Sequence, residues 1–222
     1  MSVSDINRSV IQIINEVQRR LGVNQTTAVN DTKLSSVLLD FLNDVLDEVS
    51  DMGDWPQMFR EASVTSQSSV GTYEAAVSGN IKNVYEIAWD SSTSPLNVVT
   101  IEDMRRMQRL SLFGTPRHFC VTEVSGVNAK FRVSPIPTTA AVFDIAYYKK
   151  PTLFIASDLS AVPNFPSRCL VQGTYAKALL EESGGEPTTE YQTAYTEYIR
   201  MRKEAMNRLT YDTGTDIFLV PR

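Results

Sequence analysis

Hydrophobic residues recur every three or four positions near both ends of the chain and at alternate positions in its middle. Two amphipathic helices are predicted at the start, the first with Ser4 and Asp5 as candidate caps and Gly22 as its stop. Its apolar face carries Ile6, Val10, Ile13, Ile14, Val17 and Leu21. The apolar face of the second helix carries Leu34, Val37, Leu38, Phe41, Leu42, Val45, Leu46 and Val49. We expect the two helices to pair as a hairpin.

The pattern changes at Gly53 and Pro56, which end the second helix and open a region of period two. Short strands are predicted at 59–65, 72–77, 84–89, 96–99, 118–124, 130–134 and 142–148. One helix interrupts them, with Thr100 as its cap, and we expect it to pack against or cross the sheet. A series of seven short strands favours a sandwich or a barrel.

Two further helices are predicted after a connecting loop at 151–162. Pro163 and Pro166 introduce the first of these, which ends at the glycine pair 184–185. The second follows Pro187 and runs to about residue 211. The fold class expected is α+β, a helical bundle of the N- and C-terminal helices with an inserted β-rich domain of sandwich or barrel type. The expected divisions are 1–54, 55–151, 152–211 and an extended tail at 212–222.

The amino-acid composition limits the class of protein but does not identify a function. The 222 residues are 42% hydrophobic and 21% charged, which is typical of a soluble folded chain. A net charge of −5 argues against collecting nucleic acid by bulk attraction, although transient contact with DNA stays open. No apolar run is long enough for a membrane span and residues 1–10 do not resemble a secretory signal, so we expect a cytosolic product without a membrane segment. Cys120 and Cys169 are expected to be buried, reduced thiols.

Catalytic chemistry has little support in the sequence. His118 is the single histidine, so a histidine-rich metal site cannot form, and we expect it to have a structural role. The glycine pair 184–185 lacks the Lys-Ser or Lys-Thr of a phosphate loop. Acid pairs could in principle serve a glycosidase, but their helical positions predict solvated faces. These pairs are Asp47 with Asp51 and Glu181 with Glu182. No catalytic, metal-binding or cofactor-binding residue is predicted.

Basic, aromatic and apolar clusters offer better candidates for contacts. Candidate contacts with a DNA channel or a partner protein are Arg105, Arg106, Arg109, Arg202 and Lys203. The alternative is a salt-bridged face, with Glu102 facing Arg106 and Glu204 facing Arg208 at i,i+4 spacing. Tyr191, Tyr195 and Tyr198 share one helix face, which fits either core packing or a subunit interface. The apolar segment Ile217, Phe218, Leu219 and Val220 is expected to dock on a partner.

The order of several turns and segments carries a family resemblance. The features are an acidic amphipathic helix ending at Trp55, the stretch from Thr72-Tyr73 to Ile87, Gly114-x-Pro116 entering a strand, Pro135-x-Pro137, Tyr148 to Pro151, and Pro163-x-Phe165-Pro166 before a helix. Together they cover nearly the whole chain. In this respect the protein resembles the head-to-tail adaptors of tailed bacteriophages, in particular the tail tubular protein A type of short-tailed phages.

The resemblance implies a structural virion protein of the neck, present in the host cytoplasm during assembly, with no enzymatic activity and no cofactor. It implies a homo-oligomeric ring of twelve subunits between the portal protein and the tail nozzle or tail tube protein. The ring would extend the channel for double-stranded DNA, retain the genome and pass it on ejection. A terminal extension can latch into the portal in such adaptors, which assigns that task here to Ile217, Phe218, Leu219, Val220 and Arg222. Two alternatives stay open, another neck ring such as a stopper or tail-completion protein, and a tail-associated cell-wall hydrolase.

Overall fold

The computed structural model of the protein describes residues 8–29, 31–89 and 94–212, with side chains up to residue 207. Its helices are α1 (Val10–Arg20), α2 (Lys33–Asp51), α3 (Ile101–Arg109), α4 (Ser167–Glu182) and α5 (Thr189–Asp212). Its strands are β1 (Phe59–Thr65), β2 (Thr72–Ala76), β3 (Ile81–Trp89), β4 (Asn97–Val98), β5 (His118–Ser125), β6 (Asn128–Ser134) and β7 (Val142–Lys149). All the strands lie between the N- and C-terminal helices in the chain, which confirms the α+β fold class.

The chain forms two compact units. The helical unit comprises Met1–Gln57 and Thr152–Arg222, and the β unit comprises Met58–Pro151. Within the described residues α1, α2, α4 and α5 belong to the first unit, whereas the seven strands and α3 belong to the second.

Helix α1 begins later than the sequence predicts. Ser9 is its N-cap, with its backbone N–H donating to Gln12 Oε1 at 2.9 Å. The predicted caps Ser4 and Asp5 lie outside the described residues, as does Ile6. The predicted stop is confirmed, because Gly22 follows the helix with a φ of +72°, a conformation that glycine adopts without steric cost.

Helix α4 occupies the middle of the helical unit. It contacts α1, α2 and α5, and α1 and α2 touch each other only over a short stretch. The predicted hairpin of α1 and α2 is therefore largely replaced by packing of both helices on α4. The buried positions of α4 lie on several sides of the helix and are Ser167, Cys169, Leu170, Val171, Gln172, Gly173, Thr174, Ala176, Ala178 and Leu179. A helix surrounded by neighbours buries more than the one apolar stripe that sequence periodicity identifies.

A buried glutamine joins three of these helices. Gln172 in α4 accepts a hydrogen bond from Arg20 Nη1 of α1 at 2.7 Å and donates from Nε2 to the Ala194 carbonyl of α5 at 3.0 Å. Both ends of its amide therefore have partners, which a buried polar side chain needs to avoid a desolvation penalty.

The β unit is a sandwich of two sheets. One has the order β1-β7-β3 and the other β2-β6-β5-β4, with only the β4–β5 pair parallel. The core between them draws on both sheets and consists of Tyr73, Ala75, Ile87, Leu96, Phe119, Phe131, Val133, Phe143 and Ile145. Of the two architectures expected from the strand pattern, the sandwich is the one formed.

The predicted strands 84–89, 96–99 and 130–134 have different boundaries in the structure, and β6 begins at Asn128. β3 begins at Ile81 rather than at residue 84, because register shifts at 81/83 and 84/86 break the alternation from which a strand is read. β4 comprises only Asn97–Val98, since it pairs with β5 alone and lies at the edge of its sheet.

Candidate functional site

Helix α3 presents an arginine-bearing face on the β unit. Thr100 caps it by accepting the Asp103 N–H at 3.1 Å, as the sequence predicted. Met104 is buried on the inner side, and Gln108 Nε2 donates to the Gly71 carbonyl at 3.3 Å. Arg132 of β6 in turn donates to Gln108 Oε1 at 3.3 Å. These contacts fix the inner face of α3 and leave its other side in solvent.

The exposed side of α3 concentrates positive charge. Arg105, Arg106 and Arg109 are all exposed. Arg106 Nη1 lies 3.6 Å from Asp103 Oδ1, so the predicted partner Glu102 is replaced by the acid one residue closer. This pair is largely solvated and therefore weak. No ion pair within the described ranges involves Arg105 or Arg109.

An apolar loop, residues 110–113, follows directly. Leu110, Leu112 and Phe113 are 68%, 51% and 57% exposed. The backbone of this loop is nevertheless fixed, because Ile136 N–H donates to the Leu112 carbonyl at 2.8 Å and Gly114 N–H donates to the Ile136 carbonyl at 2.9 Å. Adjacent exposed apolar side chains on a fixed backbone are typical of an interaction surface.

The tyrosines of α5 divide between the core and the surface. Tyr198 is buried and donates from its hydroxyl to Glu48 Oε2 of α2 at 3.0 Å, so core packing is the role it has within the chain. Tyr191 and Tyr195 stack with their ring centroids 5.6 Å apart, and Tyr195 is 44% exposed. The subunit-interface interpretation therefore stays a prediction that applies best to Tyr191 and Tyr195.

The basic residues of α5 have different surroundings. Arg202 lies with Cζ 5.6 Å from the ring centroid of Tyr198, a cation–π geometry. Lys203 is exposed. Glu204 pairs with Arg200, which also donates from Nε to Glu197 Oε2 at 2.8 Å. The predicted partner of Glu204, Arg208, has a side chain outside the described residues.

A partly buried polar network joins α2, α4 and α5, and its members were not predicted from the sequence. Lys177 Nζ lies 2.8 Å from Glu48 Oε1 and 3.4 Å from Asp44 Oδ2. Burial by itself lowers the pKa of Lys177, but the two carboxylates outweigh it and raise the pKa above its ordinary value. Burial, followed by the negative charge of Glu48, raises the pKa of Tyr198. The i,i+4 spacing of Asp44 and Glu48 on α2 is the only signal of this network in the sequence.

Replacement of the Tyr198 hydroxyl tests this network. We expect Tyr198→Phe to lower the free energy of unfolding by about 1–2 kcal/mol at pH 7, because Glu48 loses a buried donor but keeps Lys177. The folded state holds the Tyr198 proton more tightly than the unfolded chain does, since its pKa is raised. That stabilisation is complete below the unfolded pKa of about 10 and is lost as pH rises through the folded pKa.

The measurement is urea denaturation of the wild type and Tyr198→Phe at pH 7 and at a series of alkaline pH values. The variant is expected to lose stability less steeply than the wild type as pH rises. Tyr195→Phe, on the exposed neighbour of the same face, is the matched control and should change neither quantity appreciably. Equal alkaline slopes for all three proteins would contradict the assignment.

The residues considered for catalysis do not converge on a site. His118 is the first residue of β5, and its Nδ1 is buried without a hydrogen-bond partner among the described residues. The acids of the two pairs, Asp47 with Asp51 and Glu181 with Glu182, are exposed on helices, as the solvated-face interpretation predicts. In the part of the chain that the structure describes, no group of three metal-ligating side chains occurs. Among the same residues, no helix combines the length and the hydrophobicity that a membrane span requires.

An apolar groove lies in the helical unit between α1, α2 and α4. It has a volume of about 240 Å³ and an apolar lining of Leu21, Val23, Leu34, Val37, Phe41 and Ala178. Glu181 and Glu182, near the end of α4, complete it. Pockets for drug-sized ligands have volumes of roughly 300–1,000 Å³. The volume of this groove is below that range.

Comparison with known proteins gives the class of the molecule. Residues 8–217 match the SU10 adaptor protein family, which covers nearly the whole chain. The chain therefore belongs to the SU10 adaptor protein family. The resemblance to phage adaptors is confirmed at that level, and membership in such a family implies a structural protein of the virion neck. No curated protein matches the chain.

Proposed function

We propose that this protein is a head-to-tail adaptor that assembles as a ring, of twelve subunits, between the portal protein and the tail nozzle or tail tube protein. In that position the ring extends the channel for double-stranded DNA, holds the packaged genome and passes it during ejection. We place the protein with the tail tubular protein A type of short-tailed phages. The observation that carries the proposal is membership in an adaptor family over residues 8–217.

The surfaces of the chain support a role in assembly. The exposed apolar side chains of the loop at 110–113 and the exposed tyrosine on α5 are features of protein–protein contacts. Net charge of −5 keeps the unassembled protein from binding nucleic acid in bulk. A channel that DNA must pass through benefits from weak contacts, for which the exposed Lys203 and its neighbour Arg202 are candidates.

Co-sedimentation with the portal ring of the same phage tests the proposal. We expect the purified protein to sediment with the portal, and negative-stain images of the complex to show a second ring stacked on the first. Addition of the tail nozzle protein should then extend the stack. A protein that never joins the portal, and that forms no ring in its presence, would overturn the proposal.

We further propose that the segment at 212–222, which lies almost wholly outside the described residues, binds the portal. Deletion of residues 212–222 is expected to leave a folded protein whose affinity for the portal falls about tenfold or more, because burial of four large apolar side chains is lost. A second variant keeps the chain length and replaces Ile217, Phe218, Leu219 and Val220 with serine.

The measurements are co-sedimentation with the portal and circular dichroism of the free protein. Both variants should keep the wild-type spectrum and lose portal binding to the same extent. Arg222→Gln is a milder variant of the same segment and should have the smaller effect. Unfolding of the deletion variant would show that the segment belongs to the core, and undiminished portal binding would show that the latch lies elsewhere.

A further inference from the structure

We propose that the apolar loop at 110–113 of one copy docks into the apolar groove between α1, α2 and α4 of the next copy. This inference rests on the proposed ring, for which it names the contact between neighbouring subunits. A closed ring joins one surface of each subunit to a different surface of the next, so the chain must carry two unlike and complementary surfaces. The loop at 110–113 and the groove are two unlike surfaces that complement each other.

The groove has an apolar lining with two glutamates at one end. Leu34, Val37 and Phe41 lie at i, i+3 and i+7 on α2 and form one wall. Glu181 and Glu182 lie at the end of α4, and both carboxylates are exposed. No ion pair within the described ranges involves either carboxylate. The groove therefore combines apolar area with two negative charges that lack a partner.

The loop at 110–113 combines exposed apolar side chains with nearby positive charge. Leu110, Leu112 and Phe113 are more than half exposed, and Arg105 and Arg109 precede them on the outer side of α3. The hydrogen bonds to the backbone of Ile136 hold the loop in one conformation before any partner arrives. A preorganised segment pays less conformational entropy on binding than a flexible one does.

The loop and the groove are complementary in size and in charge. A groove of about 240 Å³ accommodates one or two large side chains of a protein segment. Insertion of Phe113 and Leu112 would remove apolar area from water on both sides, and the arginines of α3 would lie near the glutamates of α4. Arginine and aromatic residues are enriched at protein–protein interfaces, as they are on this surface.

Cross-linking tests the contact directly. We expect the double variant Val23→Cys/Leu110→Cys, treated with a short bismaleimide while bound to the portal ring, to give a ladder of covalent multimers. Each single variant should give none, because both sites are needed and Cys120 and Cys169 are buried. Val23→Cys/Val142→Cys is the matched control, since Val142 is an exposed position of the β unit that lies on β7 and not in the loop.

Charge reversal with rescue gives an independent test. We expect Arg105→Glu/Arg106→Glu/Arg109→Glu to weaken association between copies about tenfold or more, because it sets like charges against Glu181 and Glu182. Combining it with Glu181→Lys/Glu182→Lys should restore ring formation, which loss of folding could not do. Circular dichroism of the triple variant verifies that the fold is kept.

The outcomes separate this contact from the proposed function. A portal-bound ring that yields no ladder, or only cross-links within one chain, overturns the contact and leaves the adaptor function standing. Rings of the triple variant that form as readily as those of the wild type overturn it as well. If the wild type forms no ring and does not join the portal, both the function and the contact fail.

Discussion

Phe143→Ala is expected to lower the free energy of unfolding of the β unit by about 3–5 kcal/mol, the usual cost of removing a fully buried phenylalanine. Phe143 on β7 is 0% exposed. Its ring centroid lies 4.9 Å from that of Tyr73, 4.8 Å from that of Trp89 and 5.4 Å from that of Phe131. The substitution leaves a cavity between the two sheets and removes three aromatic contacts at once.

The loss of unfolding free energy expected for Phe143→Ala is a large fraction of the total for a folded domain. Folded domains are stable by only about 5–15 kcal/mol, so Phe143→Ala removes a large part of what holds the sandwich together. Val142→Ala is the matched control on the same strand, because Val142 is 37% exposed and lies outside the core. We expect it to change stability by less than about 1 kcal/mol.

Each unit contains one of the two tryptophans, which makes the measurement specific. Trp55 lies in the helical unit and Trp89 in the β unit. In a Trp55→Phe background, urea denaturation followed by tryptophan fluorescence therefore reports on the β unit alone. A loss below about 1 kcal/mol for Phe143→Ala would show that the sheets close over the vacated space.

Gly173→Ala is expected to destabilise the helical unit by about 1–3 kcal/mol, although alanine has the higher helix propensity. A Cβ at Gly173 would lie 2.6 Å from Val45 Cγ1 and 2.8 Å from Tyr198 Cε2, closer than non-bonded atoms approach. The methyl group would force α4 away from α2 and α5. Because α4 also contacts α1, the displacement disturbs the packing of the whole unit.

A double-mutant cycle separates the clash from other effects. Val45→Ala alone should be destabilising, since it removes buried methyl groups. Combined with Gly173→Ala it should cost less than the sum of the two, because the new methyl enters the space that valine left. Urea denaturation followed by Trp55 fluorescence in a Trp89→Phe background measures all four proteins. A Gly173→Ala protein as stable as the wild type would contradict the close packing at this glycine.

Much of the fold could be predicted because its signals are local. The apolar stripe of α2, the cap at Thr100 and the glycine after α1 each specify an element through neighbouring residues. The alternation in β5, β6 and β7 gave strands within a few residues of those observed. Errors arose where a local rule fails, as at the irregular register of β3, and where an expectation depended on distant contacts, as in the pairing of α1 with α2.

The candidate site was predictable only in part. The arginines of α3 and the tyrosines of α5 were identified by residue type and spacing. Their roles were not, because Tyr198 proves to be buried against Glu48, and Arg106 pairs with Asp103 rather than Glu102. Sequence spacing gives the positions that could meet, whereas rotamers and neighbouring elements decide which of them do.

The sequence by itself determined the kinds and order of the elements, the α+β class and the resemblance to phage adaptors. Tertiary structure alone decided that β7 lies between β1 and β3 in its sheet, and that α1 and α2 pack mainly on α4 rather than on each other. It also decided that the groove and the loop at 110–113 are exposed. The physical reason is that periodicity and capping act between residues a few positions apart, while sheet order, helix packing and exposure depend on contacts between residues far apart in the chain.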